Sequence, residues 1–237
     1  MNISNGIAIV GPALFIKRHH ALVLNDLHLG YEEALHAKGV FVPRFQLQEV
    51  ISTLQKILTT TKPETVVING DLKHEFGRIL AREWKEVLQF LDFLLRNTKN
   101  VVIIQGNHDP VIEPIARLRG VIVVKELRLG NTLIVHGDEV CRTTATRIII
   151  GHEHPAITIR EGSKWEKYKC FLKGTWKGKE LIVVPSFNPL LEGSDILSEK
   201  LLSPFLEDIR NFNVYVVSKG EAFGFGKVRS FAVRKTV

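Results

Sequence analysis

Six of the nine histidines in the sequence fall in five short polar clusters, and an apolar run precedes each cluster. The clusters occupy residues 26–28, 70–74, 106–109, 136–138 and 151–154. Besides histidine they supply aspartate and asparagine, and together these residue types are ligands for hard-to-borderline divalent metals. Buried carboxylates that converge repel one another, and a divalent cation removes that cost. The clusters therefore predict a metal site.

Each apolar run ahead of a cluster predicts a short buried strand, because it is rich in β-branched or other apolar residues and is bounded by turn residues. These strands are expected at residues 21–24, 65–68, 101–104, 132–135 and 147–150. Open α/β sheets place their sites at the carboxyl ends of their strands, so the five clusters are expected to meet there. His152 and His154 stand two residues apart and should leave the chain on one side.

Apolar residues at helical spacing predict two helices, at residues 46–58 and 78–95. They alternate with the first predicted strands, and a βαβαβ order favours a parallel sheet in this half of the chain. A further strand at residues 13–16 is expected to pair with residues 21–24.

The second half of the sequence is rich in predicted strands. Beside those already named, short apolar segments recur at residues 121–124, 127–129, 168–172, 180–184, 214–217 and 228–233. For residues 190–211 we expect a loop with one short helix at 203–209. The pattern favours an α/β fold in a single domain over residues 1–237, with two packed β-sheets flanked by helices.

The order of the five clusters resembles that of the calcineurin-like metallophosphoesterase superfamily, whose signature is D-x-H, G-D, G-N-H-[DE], H and G-H-x-H. All five elements stand here between Asp26 and His154. His74, three residues after Asp71, is similar to the Mre11/SbcD nuclease branch, as is the segment D-L-H-L-G that begins at Asp26. Residues 183–189, VVPSFNP, are similar to compact archaeal SbcD-like and bacterial DNA-ligase-associated phosphoesterases. The resemblance implies a four-layer α/β/β/α sandwich.

The resemblance also implies roles for individual residues. The first metal would be bound by Asp26, His28, Asp71 and His154, and the second by Asp71, Asn107, His136 and His152. His108 would be the catalytic histidine and Asp109 would orient it. His74 would contact the substrate phosphate or steady the site.

The implied activity is hydrolysis of a phosphodiester by a metal-activated hydroxide. Manganese is the expected metal, with iron, zinc, nickel, cobalt or magnesium as alternatives. The substrate could be DNA, cleaved as an exonuclease or endonuclease in repair, or a small molecule or cyclic nucleotide. A third hypothesis is that the protein is a catalytically silent binding module on the same fold. Mre11-type nucleases carry a capping region, and with 83 residues after His154 no separate capping domain is expected here.

The formal net charge is +7, which fits either a solubility preference or a polyanionic partner such as DNA. Residues 160–179 concentrate lysines and two tryptophans directly after the last cluster. One interpretation of this segment is a solvated hairpin whose lysines protect an edge strand. The other is a groove that contacts nucleic acid through Lys164, Trp165, Lys167 and Lys169.

The two cysteines, Cys141 and Cys170, lie far apart and form no metal or disulfide pattern, so both are expected to be reduced. No signal peptide or membrane-spanning run is recognisable, which favours a cytoplasmic protein with no membrane partner. A homodimer is compatible with the sequence. Glu153, between two candidate ligands, is expected to point away from them.

Overall fold

The computed structural model describes residues 1–76, 81–161 and 164–232. In this part of the chain the first sheet has seven strands, in the spatial order β1-β2-β3-β4-β5-β6-β7. Their bounds are Asn2–Ser4, Ile7–Val10, Ala13–Ile16, Ala21–Asn25, Thr65–Asn69, Asn100–Ile104 and Ile122–Val124, taken in the same order. Strands β1 to β4 pair antiparallel and β4 to β7 pair parallel. The predicted parallel half and the predicted opening strand pair are confirmed.

Helices connect the parallel strands of this sheet. The α-helices of the described residues are α1 Tyr31–Ala37, α2 Gln46–Thr61, α3 Ala81–Asn97, α4 Glu113–Arg117 and α5 Arg229–Ala232. Both predicted long helices are confirmed, although residues 78–80 of the second lie outside the described residues. Side chains such as Leu54 of α2 and Leu91 of α3 are fully buried and pack in one cluster with Ile68 of β5. This packing covers the outer face of the first sheet.

The second sheet has nine strands in the described residues, and seven of them follow the order β14-β11-β12-β13-β10-β9-β8. From β8 to β16 the bounds are Glu126–Leu129, Thr132–Val135, Arg147–Ile150, Pro155–Glu161, Lys164–Trp176, Lys179–Val183, Ser194–Asp195, Asn213–Ser218 and Glu221–Lys227. Strand β15 pairs with β12, and β16 pairs with β15. Strands β9, β10 and β13 are parallel, which brings their carboxyl ends to one edge.

The two sheets pack face to face through a shared apolar layer. Val67 and Ile104 of the first sheet lie in one buried cluster with Ile149, Phe171 and Ile182 of the second. At the carboxyl ends of the parallel strands, the Asn69 side chain donates a hydrogen bond of 2.9 Å to the carbonyl of Val135. The predicted sandwich of two packed sheets is confirmed, and its sheets meet at the ends that carry the polar clusters.

Irregular chain covers much of the outer face of the second sheet. Phe205, Leu206 and Phe212, from the irregular segment 196–212, supply much of its apolar cover. The helix predicted at 203–209 is wrong, because turns occupy this stretch. The Ser203 hydroxyl bonds to the carbonyl of Gly137, and Asp208 accepts the N–H of Arg210. Such side-chain to backbone bonds compete with helix formation.

The last predicted strand is also displaced. Residues 228–233 were expected to be extended, but β16 ends at Lys227 and α5 begins at Arg229, while residue 233 lies outside the described residues. Strand β16 contains Gly224 and Gly226, and glycine weakens the sequence signal of a strand. Strands β1, β2, β11 and β14 were not predicted. None of the described helices is long and apolar enough to cross a membrane.

Candidate metal centre

The structure brings the five polar clusters together at the carboxyl ends of β4, β5, β6, β9 and β10. In the first donor group, ligand atoms of four side chains all lie within 4.8 Å of one another. Nε2 of His28 lies 3.6 Å from Oδ2 of Asp71 and 3.3 Å from Nε2 of His154. Nε2 of His154 is in turn 3.5 Å from Oδ1 of Asp26. These are the four residues expected to bind the first metal.

The second donor group contains Asp71 again, with His136 and His152, and their ligand atoms also lie within 4.8 Å of one another. Nε2 of His136 is 3.4 Å from Oδ2 of Asp71, 3.2 Å from Nδ1 of His152 and 3.0 Å from Oδ1 of Asn107. The amide oxygen of Asn107 thus joins the group. Asp71 belongs to both groups, as expected of a carboxylate that bridges two cations.

The donor chemistry fits divalent cations. Asp26 is fully buried and Asp71 nearly so, and carboxylates in such places need a compensating charge. Ring nitrogens of His28 and His154 face each other at 3.3 Å, an arrangement that a shared cation would stabilise. Burial, and then the charge of His154, lower the pKa of His28 well below its usual value, so this ring is neutral and suited to ligation.

The pKa of His136 also indicates that the buried carboxylates favour a positive charge beside them. Burial disfavours its cation, but the hydrogen bond to Asp71 and the charges of Asp26 and Asp71 outweigh burial and raise its pKa to about 9. The carboxylates therefore attract a proton to the imidazole when no other cation is at hand. A divalent ion supplies that charge directly and leaves the ring free to ligate.

Backbone strain is concentrated at the same residues. Positive φ angles of 51°, 43° and 48° occur at Asp26, His28 and Asp71, and of 62° and 48° at His152 and His154. Residues with a Cβ atom rarely adopt this left-handed region, and such strain tends to persist at functional sites. The strained turns direct five side chains toward the shared centre.

Close packing at two glycines makes room for the donor groups. A Cβ atom at Gly70 would collide with the ring of His136, and one at Gly106 would collide with the carboxylate of Asp71. Both glycines belong to the sequence clusters that predicted the site. Their role is the close approach of the backbone to a ligand side chain.

Sequence reasoning did not identify the residues that hold the first ligand loop in place. The Ser186 hydroxyl donates to the carbonyl of Asp26 at 2.7 Å, and the Gln46 amide donates to the carbonyl of His28 at 2.7 Å. Asn188 donates to the same His28 carbonyl at 3.4 Å. The only available signal was the polar pair within the apolar segment 183–189, which carried the family resemblance.

His108, the expected catalytic histidine, is fixed by two contacts. Its backbone N–H donates to Oδ1 of Asp71 at 2.9 Å, and its ring Nδ1 lies 2.6 Å from the carbonyl oxygen of His74. Asp109 was expected to orient this ring but accepts the backbone N–H groups of Leu72, Lys73 and Gly106. The His74 carbonyl therefore holds the ring, whereas Asp109 fastens the two ligand loops together. Burial, and then the charge of Asp71, raise the pKa of Asp109 to about 7.

His74 lies beside both the first donor group and His108. Its Nδ1 is 3.4 Å from Nδ1 of His28, and its ring stacks on His108 with 5.7 Å between centroids. Its backbone N–H donates to Glu83 at 2.8 Å. Burial, and then the charge of His108, lower the pKa of His74 to about 4, so the ring is neutral at physiological pH.

The four residues expected to contact nucleic acid lie on strand β12 but in different surroundings. Lys164 is exposed and the side chain of Trp165 is 66% exposed, with the Arg160 guanidinium 5.1 Å from its ring centre. Nζ of Lys167 donates to the carbonyl of Gly193 at 3.0 Å and to Glu199 at 3.1 Å. Nζ of Lys169 donates to the carbonyls of Ser186 and Asn188, and burial lowers the pKa of this amine to about 7.

Lys167 also lines a cleft beside the first donor group. The cleft has a volume of about 450 Å³ and is bounded by Tyr31, His154, Lys167 and residues 190–194. Glu153 does not face it, because its carboxylate accepts the N–H groups of Leu202 and Ser203. That contact agrees with the expectation that Glu153 points away from its neighbouring ligands.

Comparison with solved structures supports the fold. The nuclease MPE of Pseudomonas putida aligns with a TM-score of 0.67 at 19% identity, covering 92% of this chain and 94% of that one. YfcE, a phosphoesterase from E. coli, aligns with a TM-score of 0.44 at 12% identity, over 87% of this chain and 98% of its own. At 19% identity the likeness to the nuclease MPE shows the fold alone. No curated protein is significantly similar in sequence.

The family model described as calcineurin-like phosphoesterase matches residues 19–218, which include every residue of both donor groups. This match spans most of the chain and all five motif elements. The protein therefore belongs to the calcineurin-like phosphoesterase family.

Proposed function

We propose that the protein is a phosphodiesterase with two divalent metals, and that its substrate is DNA. The observation that carries the proposal is the position of Asp71, whose carboxylate belongs to both donor groups. Two cations bound there would draw charge from the phosphate oxygens and lower the pKa of the attacking water. Manganese is the first choice, because the mixed oxygen and nitrogen ligands suit it, with iron, zinc, nickel, cobalt or magnesium as alternatives.

His108 is the proposed proton donor. Because its Nδ1 donates to the His74 carbonyl at 2.6 Å, the neutral ring carries its proton on Nδ1, and Nε2 is free to take up a second proton. The protonated ring can then protonate the leaving oxygen or stabilise the charge that develops on it. No covalent intermediate is required.

His74 is proposed to donate a hydrogen bond to the substrate phosphate. If Nε2 of His28 ligates the first metal, its Nδ1 carries the proton and donates to Nδ1 of His74, 3.4 Å away. The proton of neutral His74 then resides on Nε2. The tautomer of His28 thus fixes the tautomer of His74, whose Nε2–H can donate to the phosphate.

The choice of DNA rests on charge and surface. The formal net charge is +7, and the β11–β12 hairpin presents Lys164, the exposed ring of Trp165 and Arg160. Cations that contact phosphates and an aromatic ring that stacks on a base suit nucleic acid. Lys167 and Lys169 are proposed to support the protein surface beside the site rather than to contact DNA, because carbonyl oxygens already accept hydrogen bonds from their ammonium groups. The fold likeness to a nuclease and the position of His74 favour the nuclease branch of the family.

Reloading of the metal-depleted protein tests the proposal. The stripped protein receives each candidate metal in turn and is assayed on bis(4-nitrophenyl) phosphate and on labelled single- and double-stranded DNA. We expect two bound ions per chain and metal-dependent hydrolysis of both substrate types, abolished again by chelator. Hydrolysis of the small diester alone would favour a small-molecule or cyclic-nucleotide phosphodiesterase. No hydrolysis with any metal would leave a silent binding module.

Salt dependence of DNA binding tests the hairpin. The logarithm of the association constant should fall linearly with the logarithm of salt concentration, and Lys164→Ala should reduce the slope by about 0.7 on single-stranded DNA. Trp165→Ala should weaken binding with little change in slope, because stacking releases no counterions. Fluorescence anisotropy over a salt series measures both.

Lys219 provides a matched control, since it is an exposed lysine in the turn between β15 and β16. Lys219→Ala should leave the slope of the parent protein unchanged. If Lys164→Ala also leaves the slope unchanged, Lys164 does not contact the DNA phosphates.

A further inference from the structure

Phe76 stands exposed beside the proposed proton donor. Its side chain is 63% exposed, and its ring meets the ring of His108 edge to face, with 5.8 Å between centroids and 87° between planes. A phenylalanine left this open to water forgoes the free energy that burial of its ring would provide. Its contact with His108 places an accessible aromatic face next to the site.

The turn that presents Phe76 is well anchored. The backbone N–H groups of His74 and Glu75 both donate to Oε1 of Glu83 at 2.8 Å, and Glu83 is almost fully buried. The ammonium group of Lys73 donates to the carbonyl of Glu75. Phe76 therefore follows three residues whose positions are fixed by the same contacts that hold His74.

A second aromatic ring stands on the other side of the histidine pair. Tyr31 is partly exposed and meets His74 edge to face, with 4.9 Å between centroids. Both histidines proposed to contact the reacting phosphate thus have an aromatic neighbour. Rings of this kind at a phosphodiester site suit nucleobases, every one of which offers a flat face for stacking.

We propose that Phe76 stacks on the base of the nucleotide that supplies the leaving oxygen, and that the substrate is DNA with an unpaired base at that position. The proposal rests on the proposed function and on the role of His108 as proton donor to the leaving group. In a duplex both faces of an internal base are covered by its neighbours. Only a single strand, a frayed end or a gap presents a free face to Phe76.

The test combines two substrates with several variants. One labelled single-stranded oligonucleotide carries a normal base on the leaving side of one linkage, and the other carries a tetrahydrofuran abasic unit there. Cleavage of that linkage is followed with the manganese-loaded parent, Phe76→Ala and Phe76→Tyr. Phe223→Ala is the matched control, because Phe223 is an exposed phenylalanine on the edge strand β16. Metal content and melting temperature are recorded for each protein.

We expect the parent to prefer the linkage with the base by roughly 5- to 150-fold in kcat/KM, the range that base stacking on an aromatic ring gives. Phe76→Ala should bring that ratio close to one, while Phe76→Tyr and Phe223→Ala should keep it. The parent should also cleave single-stranded DNA faster than an internal linkage of a blunt duplex.

Three outcomes would overturn the inference, and they are distinguishable. A parent that cleaves both oligonucleotides equally, or a Phe76→Ala variant that keeps the preference of the parent, removes the stacking role and leaves the nuclease proposal intact. Hydrolysis of bis(4-nitrophenyl) phosphate without cleavage of any DNA removes DNA as the substrate, and the stacking role with it. No hydrolysis of any substrate after metal loading removes the proposed function itself.

Discussion

Replacement of Asp71 by asparagine should empty both metal positions. The carboxylate lies in both donor groups, so the change removes one negative charge from the surroundings of two cations at once. Asparagine keeps the shape of the side chain and an oxygen that can accept the N–H of His108, now bonded at 2.9 Å. Substitution of residues that only support a metal ligand typically costs 10- to 100-fold in affinity, so loss of a shared ligand should cost at least about 100-fold.

Elemental analysis of purified protein measures this loss as ions per chain. Thermal melting gives a second measure, since a ligand present at about 100 times its dissociation constant stabilises the native state by roughly 2.7 kcal/mol. Added manganese should raise the melting temperature of the parent and leave that of Asp71→Asn almost unchanged. Asp92→Asn, which alters a surface ion pair with Arg119, should respond to metal as the parent does.

Two results would contradict the bridging role. If Asp71→Asn keeps two ions at parental affinity, Asp71 is not a ligand. If it loses one ion and keeps the other, Asp71 binds a single metal and the two donor groups are independent. Activity should disappear whether one ion or both ions are lost, so the metal content decides between these interpretations.

The placement of the donor groups could be read from the sequence because each cluster follows directly after a strand. Parallel strands of one sheet bring their carboxyl ends to one edge, so a local pattern around Asp71 or Asn107 predicts a position in space. The same logic extends to His136, although it leaves from the second sheet. The bond from Asn69 to the carbonyl of Val135 shows how closely the two edges meet.

Hydrogen bonds between residues far apart in the sequence could not be predicted from such local patterns. Ser186 and Asn188 support Asp26 and His28 from 160 residues away in sequence, and their own segment predicts only the end of a strand. Lys169 looked like a surface lysine because it lies on an alternating hairpin. Its ammonium group instead bonds to the carbonyls that follow β13, which depends on the bend of that chain segment.

Two further expectations differ from the structure, one for the role of Asp109 and one for the helix at residues 203–209. The family resemblance implied that Asp109 orients the ring of His108, but the carboxylate of Asp109 instead accepts three backbone N–H groups. At residues 203–209 a short helix was expected within a loop, yet Ser203 and Asp208 bond to backbone groups and keep the segment irregular. In both cases a nearby backbone group supplied the better hydrogen bond.

His108→Gln should retain both metals and lose most turnover. The residue is outside the two donor groups that contain Asp71, although one of its ring nitrogens lies within 4.8 Å of ring nitrogens of His28 and His74. Its backbone N–H, which bonds to Asp71, is unaffected by the change. Glutamine can donate a hydrogen bond but cannot deliver a proton to a leaving oxygen. Loss of a general acid typically lowers the rate by about 100- to 10,000-fold. Metal content and kcat on a DNA substrate measure the two effects separately.

His36→Gln is the matched control, because His36 lies apart from the metal centre and its ring bonds to the carbonyl of Val42. It should keep both metal and turnover. If His108→Gln instead empties the site, His108 is a ligand and its assigned role is wrong.

The dependence of the loss on the leaving group decides how His108 acts. A 4-nitrophenolate leaves readily without protonation, whereas the sugar oxygen of DNA is a strongly basic leaving group that needs a proton. If His108 is the acid, His108→Gln should lose far more rate on DNA than on bis(4-nitrophenyl) phosphate. Equal losses on both substrates would mean that the ring stabilises charge on the phosphate itself. The bond from Nδ1 of His108 to the His74 carbonyl leaves Nε2 as the ring atom that can face the leaving oxygen, which favours the first result.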